Sequence, residues 1–149
     1  MASEQLLEIY RQLRTSQEKY IYFILAAAAS AVAFALVRTE CLPLSPRLVP
    51  WGIALLLWDL SFLCGCQHLR YVCSTLFANV QLLKIQRGQD PTVGPHPDII
   101  SAASEGIRSA IEYNSERANT LAKAQLYLFF AGAVAYVIWH LLQMHACAS

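Results

Sequence analysis

The chain has little charge for its length. Of its 149 residues, 11 are Lys or Arg and 10 are Asp or Glu, so 14% are charged, against about 25% in a typical soluble domain. Residues 20–37 and 124–149 contain no Lys, Arg, Asp or Glu, and residues 48–69 contain only Asp59. Stretches of this kind exclude an ordinary soluble surface along much of the chain.

Sequence signatures of catalysis and of metal binding are also missing. The chain has no P-loop, no G-x-S-x-G elbow, no H-E-x-x-H and no paired C-x-x-C. Cys64, Cys66 and His68 are close in sequence, but on a helix only Cys64 and His68 share a face, and two ligands do not make a zinc site. We therefore expect no enzyme, no cofactor and no metal site, and the net charge of +1 gives no reason to expect a nucleic-acid partner.

The three charge-poor stretches are long enough to cross a lipid bilayer. An α-helix needs about 20 mostly apolar residues to span the hydrocarbon core, which predicts spans at about 20–38, 50–69 and 124–144. A secretory signal peptide does not fit the first stretch, because the nineteen residues before it are longer than a normal charged leader region. The expected partner of these helices is the lipid bilayer.

Proline and glycine divide the chain into long helices. Three prolines lie between residues 38 and 50, and the next cluster of helix breakers is the segment 88–97. Residues 3–19 have amphipathic spacing and lead into the first span without a break, the second helix should continue to about residue 87, and the third should run from the turn to about residue 144. The predicted fold is an all-α integral membrane protein with three transmembrane helices. The second and third extend into a cytoplasmic helical hairpin stalk, about 70–123 with its turn at 88–97, within a single domain of residues 1–149.

The basic residues predict the orientation of the chain. Arg38 and Arg47 are the only two between the first and second spans. The other nine fall before the first span or between the second and third: Arg11, Arg14, Lys19, Arg70, Lys84, Arg87, Arg108, Arg117 and Lys123. By the positive-inside rule, the N-terminus and the hairpin are expected in the cytoplasm and the C-terminus outside, in a plasma or inner membrane.

The third helix contains a seven-residue series that predicts close helix packing of the coiled-coil type. Its members are Ile100, Ile107, Asn114, Leu121, Leu128, Ala135 and Leu142. Asn114 is the polar member of this apolar series, a type of position that fixes register or oligomer state. We therefore take Asn114 as a candidate register position in a homo-oligomer.

Asp59 is the candidate functional residue of the spans. A carboxylate at the centre of a span costs about 2.5–3.5 kcal/mol on insertion scales, so it should face a partner or water. Asp59, Cys66, Arg70 and Cys73 fall on one side of the second helix at about 100° per residue. Copies of this polar stripe could line a pore or ion path in a homo-oligomer. Alternatively, Asp59 makes one buried hydrogen bond to a hydroxyl of another helix, with these candidates: Tyr22, Ser30, Tyr127 and Tyr136.

Two cysteines are expected on the outer side of the membrane. Cys41 lies in the link between the first two spans, and Cys147 lies in the C-terminal tail. A disulfide between them would join the outer ends of the first and third helices if that compartment is oxidising. The alternative is two free thiols.

Two functions of different classes remain open. The first is a homo-oligomeric pore, channel or ion path lined by the second span, with Asp59 as its polar determinant. The alternative is a non-conducting adaptor or structural subunit whose cytoplasmic helices dock a protein partner. Asp59 separates the two hypotheses, because only the first requires its carboxylate.

Overall fold

The computed structural model describes residues 2–37, 45–90 and 96–148, with side chains for most of 15–145 within these ranges. Its elements are α1 (Ala2–Val37), a short 3-10 helix (Pro46–Leu48), α2 (Val49–Gln86) and α3 (Pro97–Ala148). The described residues contain no strand. The all-α prediction is confirmed, and so is the prediction of three long helices.

The 3-10 helix, α2 and α3 each have a proline in the first turn, the one part of a helix where proline is tolerated. Pro46 opens the 3-10 helix, Pro50 lies in the first turn of α2, and Pro97 is the first residue of α3. Asp98 follows in the first turn of α3, where a negative charge favours the helix dipole. With no proline further inside, the three helices reach 36, 38 and 52 residues.

The C-terminus of α2 is closed by a Schellman motif. Gly88 has φ +64°, a left-handed conformation that a residue without Cβ adopts at little cost. The Gly88 N–H donates to the Ile85 carbonyl and the Gln89 N–H donates to the Lys84 carbonyl, each at 2.9 Å. These two bonds satisfy carbonyls that the end of the helix would otherwise leave unpaired. The predicted turn therefore begins at Gly88.

Three helices are long and apolar enough to cross a membrane: Thr15–Val37, Val49–Gln86 and Pro97–His145. Their outer faces carry many exposed large hydrophobic side chains, including Phe23 at 68% and Val37 at 66% exposure. Such faces suit a lipid environment, where apolar side chains need not be buried against protein. The fold is compatible with a multi-pass membrane protein.

The chain divides into two compact units. The first unit is Met1–Gly65 with Ala124–Ser149, and the second unit is Cys66–Lys123. The first unit therefore holds α1, the first part of α2 and the last part of α3. The second unit holds the remainder of α2 and α3.

The core of the first unit is built around an indole ring between small residues. Trp58 of α2 is buried with Ala54 of the same helix and Ala35 of α1. The Trp58 Nε1–H donates to the carbonyl of Phe129 on α3 at 3.2 Å. Gly132 makes room for this ring, because a Cβ there would lie 2.7 Å from the Trp58 ring atoms. Small residues thus let the three helices approach closely, a kind of packing that is also common between helices in membranes.

The second unit pairs its two helices in antiparallel order. The His68 side chain of α2 contacts the Ala118 carbonyl of α3 at 2.7 Å, and Asn114 of α3 donates to Ser74 of α2 at 3.1 Å. Residue numbers rise along one helix as they fall along the other. Since a carbonyl oxygen only accepts, the bonded Nδ1 of His68 carries the proton.

The most deeply buried line of α3 differs from the predicted one. Residues 100, 107, 114, 121, 128 and 135 of the predicted series are half-buried, and Leu142 is exposed. The buried positions lie on a line four residues later in the chain, with one step of fourteen residues followed by steps of seven: Ser104, Ala118, Gln125, Gly132 and Trp139. Four of these five residues are small or polar, which allows close approach of the helices, and Trp139 is the large apolar member of the line.

Candidate functional site: polar groups of the first unit

Asp59 lies on the outer face of α2. Its side chain is exposed, whereas Ala54, Trp58 and Ser61 of the same helix are buried. At about 100° per residue, Asp59 stands roughly 130° around the helix from this buried line. The packing of Trp58 and Ser61 into the core therefore directs the carboxylate outward.

Asp59 has no hydrogen bond and no ion pair among the residues that the structure describes. In particular, it does not bond the hydroxyls of Tyr22, Ser30, Tyr127 or Tyr136. The buried hydrogen bond considered from the sequence is thus not formed within the first unit. In a single copy, the carboxylate lies on the surface between Leu56 and Leu63, which are 64% and 57% exposed.

A second polar group lies inside the first unit, at two residues that are not among the candidates predicted from the sequence. The Ser61 hydroxyl is fully buried and donates to the Gln125 backbone carbonyl at 2.7 Å. The Gln125 side chain is 1% exposed, and within the part of the chain that the structure describes neither its Nε2 nor its Oε1 has a hydrogen-bond partner. The sequence does contain a signal for this pair, because Ser61 and Gln125 are polar side chains within two of the apolar stretches.

Gly65 permits this arrangement. A Cβ at Gly65 would lie 2.6 Å from the Gln125 Nε2 and 2.7 Å from the Leu25 Cδ2 of α1. A Cβ here would force the ends of the Gln125 and Leu25 side chains to shift, so glycine is the residue that fits α1, α2 and α3 as they meet at this level. The amide of Gln125 is therefore enclosed by close packing.

The remaining members of the predicted stripe belong to the second unit. Cys66 is half-buried, and Arg70 and Cys73 are exposed. Arg70 Nη1 donates to the Gln67 side-chain oxygen at 3.2 Å, one turn earlier on the same helix. These side chains are accessible on α2, and their exposure leaves them available to solvent or to another molecule.

Asn114, the candidate register position, has a partner within its own chain. It is half-buried, and its Nδ2 donates to the Ser74 hydroxyl at 3.1 Å. This bond joins α3 to α2 inside the second unit. Whether Asn114 also sets an oligomer state remains a prediction.

The predicted Cys41–Cys147 disulfide lies outside the described residues, since Cys41 and the side chain of Cys147 are not among them. Cys64, Cys66 and Cys73 are free thiols. Over the described part of the chain, no three His, Cys, Asp or Glu side chains cluster in a way that could hold a metal ion. No family model, no curated protein and no solved structure matches this chain.

Proposed function

We propose that this chain is a multi-pass membrane protein that assembles from several copies, with the outer face of α2 lining a polar or ion-conducting path. The observation that carries the proposal is the position of Asp59. Its carboxylate is exposed on a helix of membrane-spanning length and has no partner among the described residues. A lone copy would present this charge to lipid.

Lipid is a poor environment for that carboxylate. Exposure at the centre of a span costs about 2.5–3.5 kcal/mol on insertion scales, and intramembrane carboxylates generally face a water-filled cavity or a partner. Assembly around an axis would place the Asp59 side chains of several copies beside water. This removes the cost without any rearrangement inside the first unit.

The orientation follows from the basic residues. Nine of the eleven fall before the first span or between the second and third, which favours a cytoplasmic N-terminus and a cytoplasmic second unit. The antiparallel pair of α2 and α3 in the second unit would then form a stalk in the cytoplasm. The C-terminus would lie on the outer side of the membrane.

Conductance measurements on the purified protein test the proposal. The wild-type chain reconstituted in planar bilayers should carry current, and Asp59→Asn should change its conductance or ion selectivity because it removes the charge at the path. Glu105→Gln is the matched control, since it removes an exposed carboxylate from the second unit. Absence of current from wild type under varied voltage, pH and ligand conditions would contradict a path, as would identical currents from wild type and Asp59→Asn.

The adaptor function is favoured by a different observation. In the second unit, Leu76, Val80 and Leu83 of α2 are exposed at helical spacing, and Phe77 beside them is 67% exposed. If this unit lies in the cytoplasm, such a stripe would contact water. Exposed apolar stripes of this kind on a soluble surface indicate a site where another protein docks.

The mass of the detergent-solubilised protein separates the two functions. A closed assembly of many copies supports the path, whereas a monomer or dimer supports the adaptor. In the adaptor, Asp59→Leu should leave activity intact and Val80→Asp should abolish partner binding. If the chain forms a path, Asp59→Leu should impair conductance and Val80→Asp should have only a small effect on it.

A further inference from the structure

Two outward-facing polar groups of the first unit each lack a partner among the described residues. Asp59 of α2 is an exposed hydrogen-bond acceptor. Tyr127 of α3 is 73% exposed and carries a hydroxyl that can donate. Neither makes a hydrogen bond to any residue within 15–37, 45–90 or 96–145 whose side chain the structure describes.

The two groups lie at the same level of the first unit. Trp58 bonds the carbonyl of Phe129 and Ser61 bonds the carbonyl of Gln125, so α2 and α3 are antiparallel here. The level of Asp59 therefore falls between residues 125 and 129, within about one residue, or ~1.5 Å, of Tyr127. A carboxylate and a phenol at one level can meet if two copies lie side by side in a membrane.

The two groups point to different sides of the unit. At about 100° per residue, each stands roughly 130–140° around its helix from that helix's buried line. Because α2 and α3 are antiparallel, the rotation to Asp59 and the rotation to Tyr127 have the same sense when both helices are viewed from one end of the first unit. One side of a copy thus presents an acceptor and another side presents a donor, which is the arrangement that a head-to-tail interface requires.

We propose that the Asp59 carboxylate of one copy accepts a hydrogen bond from the Tyr127 hydroxyl of the next, and that this contact, repeated head to tail, closes the copies into a ring. The proposal rests on the proposed homo-oligomer and names its contact. One carboxylate oxygen meets the phenol, and the other remains available to the path.

A second copy is the occupant that the chain's own chemistry favours. The three charge-poor stretches contain no Lys or Arg, so a copy can offer only neutral donors at this depth. Ser30 of α1 is also exposed, but a serine hydroxyl in a helix can bond a carbonyl of its own helix. The longer tyrosine side chain carries its hydroxyl away from the backbone.

The surroundings of both groups are apolar and suited to packing within a membrane. Leu56 and Leu63 lie one turn on either side of Asp59 and are exposed. Ala131 and Val134 are exposed one and two turns from Tyr127. The interface would therefore be an apolar contact with a single polar pair.

A thermodynamic cycle on the full chain in detergent tests the contact. Tyr127→Phe removes only the hydroxyl and should lower the association constant of the oligomer by about threefold to tenfold per interface. In an Asp59→Leu background the same substitution should have no further effect. Tyr22→Phe, which removes a hydroxyl from another exposed tyrosine of the first unit, is the matched control and should leave association unchanged.

Cross-linking between copies gives an independent readout. In a chain whose five native cysteines are replaced by serine, Asp59→Cys combined with Tyr127→Cys should give a ladder of covalent multimers with a short bis-maleimide. The ladder should end at the number of copies in the ring. Each single substitution should give no product larger than a dimer.

The outcomes distinguish failure of the contact from failure of the proposed function. A wild-type protein that is monomeric in detergent and in bilayers would overturn the oligomer and the contact together. An oligomer that ignores Tyr127→Phe and gives no ladder would overturn the contact alone. The contact would also be overturned if Ser30→Ala weakened association of the oligomer and Tyr127→Phe did not. A double-cysteine variant whose cross-linked product stops at a dimer would overturn it as well.

Discussion

At the scale of single residues, the fit between Gly132 and Trp58 holds α2 against α3. A Cβ at Gly132 would lie 2.7 Å from the Trp58 ring and 3.2 Å from the Ala54 carbonyl oxygen. The ring cannot withdraw without losing its bond to the Phe129 carbonyl. The glycine is therefore required by packing and not by its backbone angles.

Gly132→Ala should lower the free energy of unfolding by about 1–3 kcal/mol, the usual cost of overpacking a filled core. Gly106→Ala is the matched control, because no atom lies within 4 Å of the position of its Cβ. The control should raise stability by about 0.5–1 kcal/mol through better helix propensity. Unfolding in mixed detergent measures both, and equal effects of the two substitutions would contradict this account of the packing.

The buried amide of Gln125 leads to a second expectation at this scale. A buried polar group without a partner costs about 1–3 kcal/mol, and both polar atoms of this side chain lack one. Gln125→Met should therefore raise the unfolding free energy, while the Ser61 bond to the backbone carbonyl stays in place. Gln67→Met, at an exposed position, should change little. Loss of stability in Gln125→Met would contradict the expectation that the unpaired amide is a net cost.

At the scale of elements, the positions of proline and glycine in the sequence predict where the helices begin and end. The second helix was expected from about residue 51 to 87, and α2 is Val49–Gln86. The buried line of α3 lies four residues after the apolar series that the sequence predicts. The deepest positions hold Ser104, Ala118 and Gly132, whose small size a hydrophobic pattern does not register.

Gly88 controls where α2 ends. Gly88→Ala places a Cβ at φ +64° and should lower the unfolding free energy by about 1–2 kcal/mol. Gly88→Asn should cost less, because asparagine tolerates the left-handed region. Thermal unfolding of the two variants gives the comparison, and an alanine variant as stable as wild type would mean that the turn can take another conformation.

At the scale of the whole molecule, the orientation can be tested with two cysteines. In a chain with the native cysteines replaced, Ser45→Cys and Gln89→Cys lie at exposed positions that the charge distribution puts on opposite sides of the membrane. A membrane-impermeant maleimide applied to intact cells should label position 45 and spare position 89 until the cells are opened. Labelling of position 89 alone in intact cells would reverse the orientation.

The candidate site could be predicted from the sequence only in part. Asp59 was identifiable because a charge in an apolar stretch is conspicuous. Its direction was not, since it depends on Trp58 and Ser61 packing inward against α3. Of the two alternatives that the sequence left open for Asp59, its exposure disfavours a buried hydrogen bond within the chain and is compatible with a path between copies.

The hydrogen bonds that α2 donates to α3 depend on the side chains of α2 more than on those of α3. Trp58, Ser61 and His68 each bond a backbone carbonyl of α3. Every residue type supplies that carbonyl, so α3 can change its side chains at the accepting positions and keep the bonds as long as it stays helical and the new side chain fits. On α2 the same bonds depend on the identity of three side chains. Substitutions should therefore be tolerated at the accepting positions of α3 more readily than at the three donating positions of α2.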